Sequence, residues 1–176
     1  NMYRTARRLM IKAIDMLSEI ADIHVMVVPG NHDRESVMHL GDCLQLYYEN
    51  NENIKVDNND CLMKALPYGN NLIVSDHGDG PKTADLPGII SQRFKNMWSN
   101  VDYVEVHRGH FHTNKAMKLQ AIEELNGITV RNLSSMSATD YWHDAKGFIG
   151  NIKKAQAFIY SRQNGLQGIL NYNVKV

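Results

Sequence analysis

The chain has little of several things that would move it out of the ordinary globular class. It has two cysteines, Cys43 and Cys61, in 176 residues, too few for a disulfide framework or a four-thiolate zinc site. It has no net charge, because 19 lysines and arginines offset 19 aspartates and glutamates, so no global basic field marks a nucleic-acid binder. No apolar run reaches the roughly 20 residues that cross a bilayer, and no membrane partner is expected. The basic start (Arg4, Arg7, Arg8) is followed by Asp15, Glu19 and Asp22 rather than by a long apolar stretch, so it does not read as a signal peptide. Few cysteines and no export signal make the cytoplasm the expected location. Low-complexity tracts and repeats with periods of 20–50 residues are also lacking.

What is present is average in bulk. Hydrophobic residues make up 43% and charged residues 22%, as in soluble domains. The length suits a single domain over residues 1–176 with a sizeable core. The number that stands out is eight histidines. Histidine is the commonest metal ligand and titrates nearest neutral pH, so their distribution matters.

The patterning predicts alternating helices and strands, then hairpins. Ala6, Leu9, Met10, Ala13, Leu17 and Ile20 recur at spacings of three and four, which predicts a helix over residues 3–21. Ile23–Val28 is a short apolar, β-branched run ended by Pro29-Gly30 and reads as a buried parallel strand. Residues 35–48 read as a second helix with Val37, Leu40, Leu44 and Tyr47/Tyr48 on one side. A short strand is expected at Ile54–Val56, and two more at Cys61–Leu66 and Leu72–Ser75. Residues 79–87 read as loop, 88–98 as helix, and Tyr103–Val106 as strand. Asn126-Gly127 and Asn164-Gly165 each separate two strand-like runs, and Asn-Gly is the dipeptide of type I′ hairpin turns. This order predicts a mixed α/β domain with more than one sheet.

Three segments share one arrangement, a strand-like run followed at once by a turn bearing His, Asp or Asn. They are Val27-Val28-Pro29-Gly30-Asn31-His32-Asp33, Ile73-Val74-Ser75-Asp76-His77-Gly78-Asp79, and Val104-Glu105-Val106-His107-Arg108-Gly109-His110-Phe111-His112. Ligands of open α/β sheets bind outside the carboxyl ends of the strands. Three such ends side by side would gather Asn31, His32, His77, His110 and His112 into one pocket. Gly30, Gly78 and Gly109 would allow sharp turns and close backbone approach there.

Gly30-Asn31-His32-Asp33, the lone His77 and Gly109-His110-Phe111-His112, in that order and each after a strand, resemble the last three motifs of the calcineurin-like metallophosphoesterases. The resemblance covers roughly residues 1–135. It implies an α/β fold, a mixed two-sheet sandwich flanked by helices in an αββα arrangement. It implies a phosphoesterase acting on phosphomonoesters or phosphodiesters through two divalent ions. A nuclease acting on DNA or RNA falls within that breadth, since the family includes DNA-repair exonucleases. By the same resemblance Asn31, His77 and His110 are ligands of one metal and His112 of the other. His32 steadies the phosphoryl oxygens or protonates the leaving group, and Asp33 orients His32. Imidazoles and a carboxamide oxygen suit manganese, iron or zinc.

The family's first two motifs, Asp-x-His and Gly-Asp-x-x-Asp, have no credible counterpart here. Asp22-Ile23-His24 fits the letters, but at ~3.3 Å per residue His24 lies about 20 Å along the chain from Asn31, at the wrong end of its strand. Gly41-Asp42 falls inside a predicted helix, after the motif it should precede. The chain is therefore expected to be N-terminally incomplete as a domain, either a fragment or one that completes itself by association through open sheet edges. It would hold zero or one ion by itself. The rival expectation is a non-catalytic binding or assembly module that keeps a partial or single-metal site.

The remaining features have plainer readings. His107 alternates away from the site on its strand. His24, His39 and His143 are read as structural, and Asp140–Asp144 as a buried corner. Arg34 and Arg108 flank the motifs and would either meet a phosphate or form solvated ion pairs. Arg4, Arg7, Arg8 and Lys12 are read as a solvated face, both cysteines as buried apolar residues, and the nine methionines as core filler.

Overall fold

A computed structural model describes residues 2–110, 121–136 and 153–174. The chain divides into two compact units, Asn1–Lys64 and Ala65–Val176.

The first unit runs α1 (Met2–Ser18), β1 (Ile23–Met26), α2 (Arg34–Tyr47) and β2 (Ile54–Asp57). β1 and β2 pair in parallel, Ile23 opposite Ile54 and Met26 opposite Asp57. Parallel neighbours need a crossover, and α2 is that crossover. Ile14, Val27, Leu44, Tyr48, Ile54 and Val56 form the core, with Ile11, Val37 and Leu40 packed against it. Burying such an aliphatic side chain contributes about 1.5–3 kcal/mol. The Tyr48 hydroxyl donates to Asp15 Oδ1 at 2.7 Å and lies 3.2 Å from the Ile11 carbonyl, which ties the end of α2 to α1. Burial, and then the hydrogen bond to Asp15, raise its pKa.

Two buried polar groups in this unit have their hydrogen bonds satisfied within it, Lys64 by neighbours close in sequence and Asn58 by residues of α2. The Lys64 ammonium has three acceptors, Asp57 Oδ1 at 2.9 Å, the Asp57 carbonyl at 3.1 Å and the Asn59 carbonyl at 2.9 Å, one for each of its protons. Asn58 Nδ2 donates to the Met38 carbonyl at 3.0 Å and to Asp42 Oδ1 at 2.7 Å. This lays the Asn58 side chain across α2 at Gly41, where a β-carbon would collide with it.

The second unit holds the sheet that positions the site. β3 (Met63–Tyr68) crosses the unit boundary; β4 (Asn71–Asp76), α3 (Leu86–Arg93), α4 (Lys95–Trp98), β5 (Tyr103–Arg108), β6 (Ile122–Leu125) and β7 (Ile128–Asn132) follow. Five strands stand in the order β3-β4-β5-β7-β6. β4, β5 and β7 are mutually parallel, and β6 returns antiparallel beside β7. The fold is α/β with mixed sheets, as expected. Strand alternation gives the sheet two unlike faces. Leu72, Val74, Val104, Val106, Ile128 and Val130 are buried on one, and α3 contributes buried Leu86 and Ile90. The other face carries Glu105, His107, Thr129 and Arg131 and meets the hairpin of β8 (Lys154–Ser161) and β9 (Gly165–Asn173).

Several expectations need correction. The helix α1 forms, but its buried residue is Ile14, while Leu9, Met16, Leu17 and Ile20 are 55–84% exposed. Apolar residues occur on more than one side of α1, so period alone did not choose the face. On α2 Leu44 is buried as expected but Tyr47 is exposed. Pro87 belongs to a helix, in its first turn, where its missing N–H costs nothing. The expected single helix over 88–98 breaks at Phe94 (φ −114°, ψ 35°). The described strands form three sheets rather than two, since β1 with β2 and β8 with β9 each make a separate pair. Asn126 and Gly127 have φ of 42° and 86°, as a type I′ turn requires. At the second Asn-Gly only Gly165 is left-handed, and Ser161 pairs with Gly165. Three residues therefore form that loop, and the register shift of this hairpin lies further along, between Ile159 and Tyr160. Cys61 is exposed. Met63 is buried, but Met2, Met16 and Met136 are exposed.

The Gly41 contact gives a direct test. Gly41→Ala is expected to lose about 1–3 kcal/mol of stability through overpacking, read as a lower urea midpoint. Adding Asn58→Ala should return part of that loss.

Candidate metal centre

β4 and β5 are adjacent, parallel and in register, with Asp76 opposite Arg108. The residues that follow them therefore emerge together. His77 follows Asp76, and Gly109-His110 follows Arg108. The two imidazoles face each other, His110 Nδ1 lying 3.3 Å from His77 Nε2, with ring centroids 5.1 Å apart and planes at 69°. The backbone is specialised for this. His110 adopts φ 62°, a left-handed conformation that histidine tolerates better than most side chains. Gly78 has φ 102°, a conformation in which glycine is favoured. At Gly109, by contrast, an added β-carbon would stand 3.4 Å from the His77 carbonyl oxygen, an ordinary contact, so the close approach expected there does not require glycine.

Directly beneath the two histidines is a buried ion pair. Arg108 Nε donates to Asp76 Oδ1 at 2.8 Å and Nη2 to Oδ2 at 3.1 Å. Nη2 also reaches the Pro81 carbonyl at 2.9 Å, and the Arg108 carbonyl accepts the Leu133 amide at 2.7 Å. Arg108 is 1% exposed, so it neither stands free for a phosphate nor forms a solvated pair. Alternation is the reason, since Arg108 shares the buried face with Val104 and Val106. Arg34, at the start of α2, is exposed.

His107 falls on the opposite face, as alternation predicts. Its Nε2 lies 3.0 Å from Glu105 Oε1 and 3.1 Å from the Tyr160 hydroxyl, and its ring is 4.2 Å from Phe158. Arg131 also pairs with Glu105. Burial pushes the Glu105 carboxyl up, but hydrogen bonds from His107 and Arg131 outweigh it and hold the carboxyl below its ordinary value. Burial, and then the charge of Glu105, push Tyr160 up. Of these residues Glu105, Arg131 and Tyr160 border a cavity of about 280 Å³ whose lining also includes Asn71, Asp102 and Tyr103, at or beside the strand starts. Sequence reasoning missed this network. Its signal was the Glu-x-His alternation on β5, with Arg131 in the register position of His107.

In the first unit Asn31, His32 and Asp33 lie exposed in the turn between β1 and α2. Asp33 Oδ1 accepts the Gly30 amide at 2.9 Å and does not cap α2. This carboxylate therefore tightens the turn that carries Asn31 and His32. His24 is half-buried on β1, and burial followed by the nearby Lys55 charge lowers its pKa. His39 is exposed on α2. His112, His143 and the segment Asp140–Asp144 lie outside the described residues.

Among the described residues no group of three or more His, Cys, Asp or Glu side chains converges. The two imidazoles alone are an incomplete ligand set, and their 3.3 Å contact is also that of a hydrogen bond. Two imidazole nitrogens bound to one tetrahedral ion at about 2.0–2.1 Å stand about 3.3–3.4 Å apart, the separation seen here. No helix among the described residues is long and apolar enough to cross a membrane.

The profile of the calcineurin-like phosphoesterases matches residues 4–148. The chain belongs to that family, whose members are metal-dependent enzymes acting on phosphate esters. No curated protein and no solved structure matches it.

The Glu105 network predicts a pH dependence. A carboxyl held below its unfolded value stabilises the fold fully above the unfolded pKa. That contribution is lost as pH falls through the folded value. The unfolding free energy from urea titrations should therefore be flat above the ordinary glutamate value of 4.5 for this group and fall below it, by up to about 1.4 kcal/mol per pH unit for one proton. Glu105→Gln should lower stability near neutral pH and reduce that slope.

Proposed function

We propose that this chain carries the histidine side of a phosphoester-hydrolysing metal centre. The observation that supports this is the pair of facing imidazoles, His77 and His110, at two adjacent parallel strand ends within the matched family region. By the family resemblance, His77 and His110 would be ligands of one divalent ion, Asn31 would be a further ligand of it, and His112 would belong to a second. Such ions polarise the phosphoryl group and activate water near neutral pH.

The chain's other residues have distinct tasks in this reading. His32 is exposed on its turn and free to meet substrate. As an imidazolium it would donate to the phosphoryl oxygens and pass a proton to the leaving oxygen. Asp33 acts on the backbone by holding the turn through the Gly30 amide. The substrate class is a phosphomonoester or phosphodiester in the cytoplasm, and a nucleic-acid strand is one such diester. The second reading is a binding or assembly module that keeps one ion. It is favoured by the absence of a convergent carboxylate beside the histidines among the described residues.

Metal content and turnover separate the two. The purified chain, loaded with manganese or zinc and dialysed, should retain metal that is lost in His77→Ala and His110→Ala. Bis-p-nitrophenyl phosphate and p-nitrophenyl phosphate should be hydrolysed. His32→Ala should cut turnover by about 10²–10⁴-fold, the usual worth of a general acid, while leaving metal content unchanged. Zero or one bound metal without turnover in the wild-type chain would support the module, and turnover that persists in metal-free protein would sink the metal-centre reading.

A further inference from the structure

We infer that the buried Arg108–Asp76 ion pair is a positioning device that sets the distance and angle between His77 and His110. The inference rests on the metal-centre reading above only for its affinity readout. Each partner sits at the end of its strand, Asp76 immediately before His77 and Arg108 two residues before His110. They are register partners across β4 and β5, so their side chains meet directly under the two turns. The contact is a two-bond fork, 2.8 and 3.1 Å, and a planar guanidinium on a carboxylate fixes orientation as well as separation. The same guanidinium holds the Pro81 carbonyl, closing the loop that contains Gly78. From the other side, the Leu133 amide holds the Arg108 carbonyl. The strand end that delivers His110 is thus anchored at both its side chain and its backbone.

Stability alone does not account for charges at this place. The other positions on the buried face of β4, β5 and β7 are leucine, valine or isoleucine, except Asn132, the register partner of Arg108 on β7. A buried ion pair often does no better than well-packed apolar residues of similar volume. An aliphatic pair would fill the space and leave the backbone ladder in place, but it would not fix the angle between the two side chains at the strand ends. The fork fixes that angle where two imidazole nitrogens must stay 3.3 Å apart.

The test uses two variants of the chain and two readouts. The double variant Asp76→Leu/Arg108→Met replaces the pair by apolar side chains, and Arg108→Lys keeps the charge but removes the fork. In metal-free protein, the nuclear Overhauser effect between the His77 and His110 rings reports their spacing. Calorimetric titration with zinc reports the site's affinity. Both variants are expected to keep the wild-type circular dichroism, to weaken the ring–ring effect and to bind zinc about 10- to 100-fold more weakly, the usual cost of losing an outer-shell support. Variants that keep both the ring–ring effect and the zinc affinity would overturn the inference. If the double variant does not fold, Arg108→Lys decides alone. If the wild-type chain binds no zinc, the metal-centre reading fails, and the ring–ring effect still decides whether the pair positions the histidines.

Discussion

A guanidinium and a carboxylate close the buried face of the five-stranded sheet at the end where its parallel strands stop. The geometry of the two histidine turns depends on that contact. Arg108 and Asp76 are 32 residues apart in sequence, yet register pairing makes them neighbours. Their charges are tolerable there because the guanidinium finds a third acceptor at Pro81 and the carboxylate uses both oxygens. Left alone, either would be an uncompensated buried charge, which is strongly destabilising. The conformational cost at the strand ends is carried by residues suited to it, Gly78 and His110.

The opposite face of the sheet follows a different logic. Glu105, His107 and Arg131 lie under a hairpin whose Phe158 and Tyr160 cover them. Each charged group there is bonded to another, which is what makes a half-buried polar layer acceptable. One strand, β5, thus serves two layers. Its residues 104, 106 and 108 end in the ion pair below the histidines, while 105 and 107 join sheet to hairpin. A change of one residue in register would exchange these roles, so the pairing of β4, β5 and β7 is strongly specified.

Much of this was legible in the residues. The parallel strands could be read from their β-branched runs, and the left-handed Asn126-Gly127 turn from its dipeptide, because both signals are local. The histidines at the ends of β4 and β5 were legible for a related reason: motif chemistry is written in consecutive residues. The burial of Arg108 was not, since an arginine beside a site reads as a ligand-binding group unless its partner is known. The buried side of α1 was not legible either. Its apolar residues fall on more than one side, and Ile11 and Ile14 were selected by their packing against α2 and the strands. The second Asn-Gly misled because strand pairing sets Ser161 opposite Gly165, which makes the loop three residues long and puts Gly165 in the strand rather than in a two-residue turn.

The sequence by itself determined the class of chemistry and the family. Gly-Asn-His-Asp, a lone histidine and Gly-His-x-His, each after a strand, are chemical information that needs no partner. Tertiary structure alone decided which nitrogens face each other, at what distance, and what holds them there. Those answers depend on β4 and β5 being adjacent and in register. Adjacency of strands separated by a helical crossover is a property of the folded sheet, not of either segment.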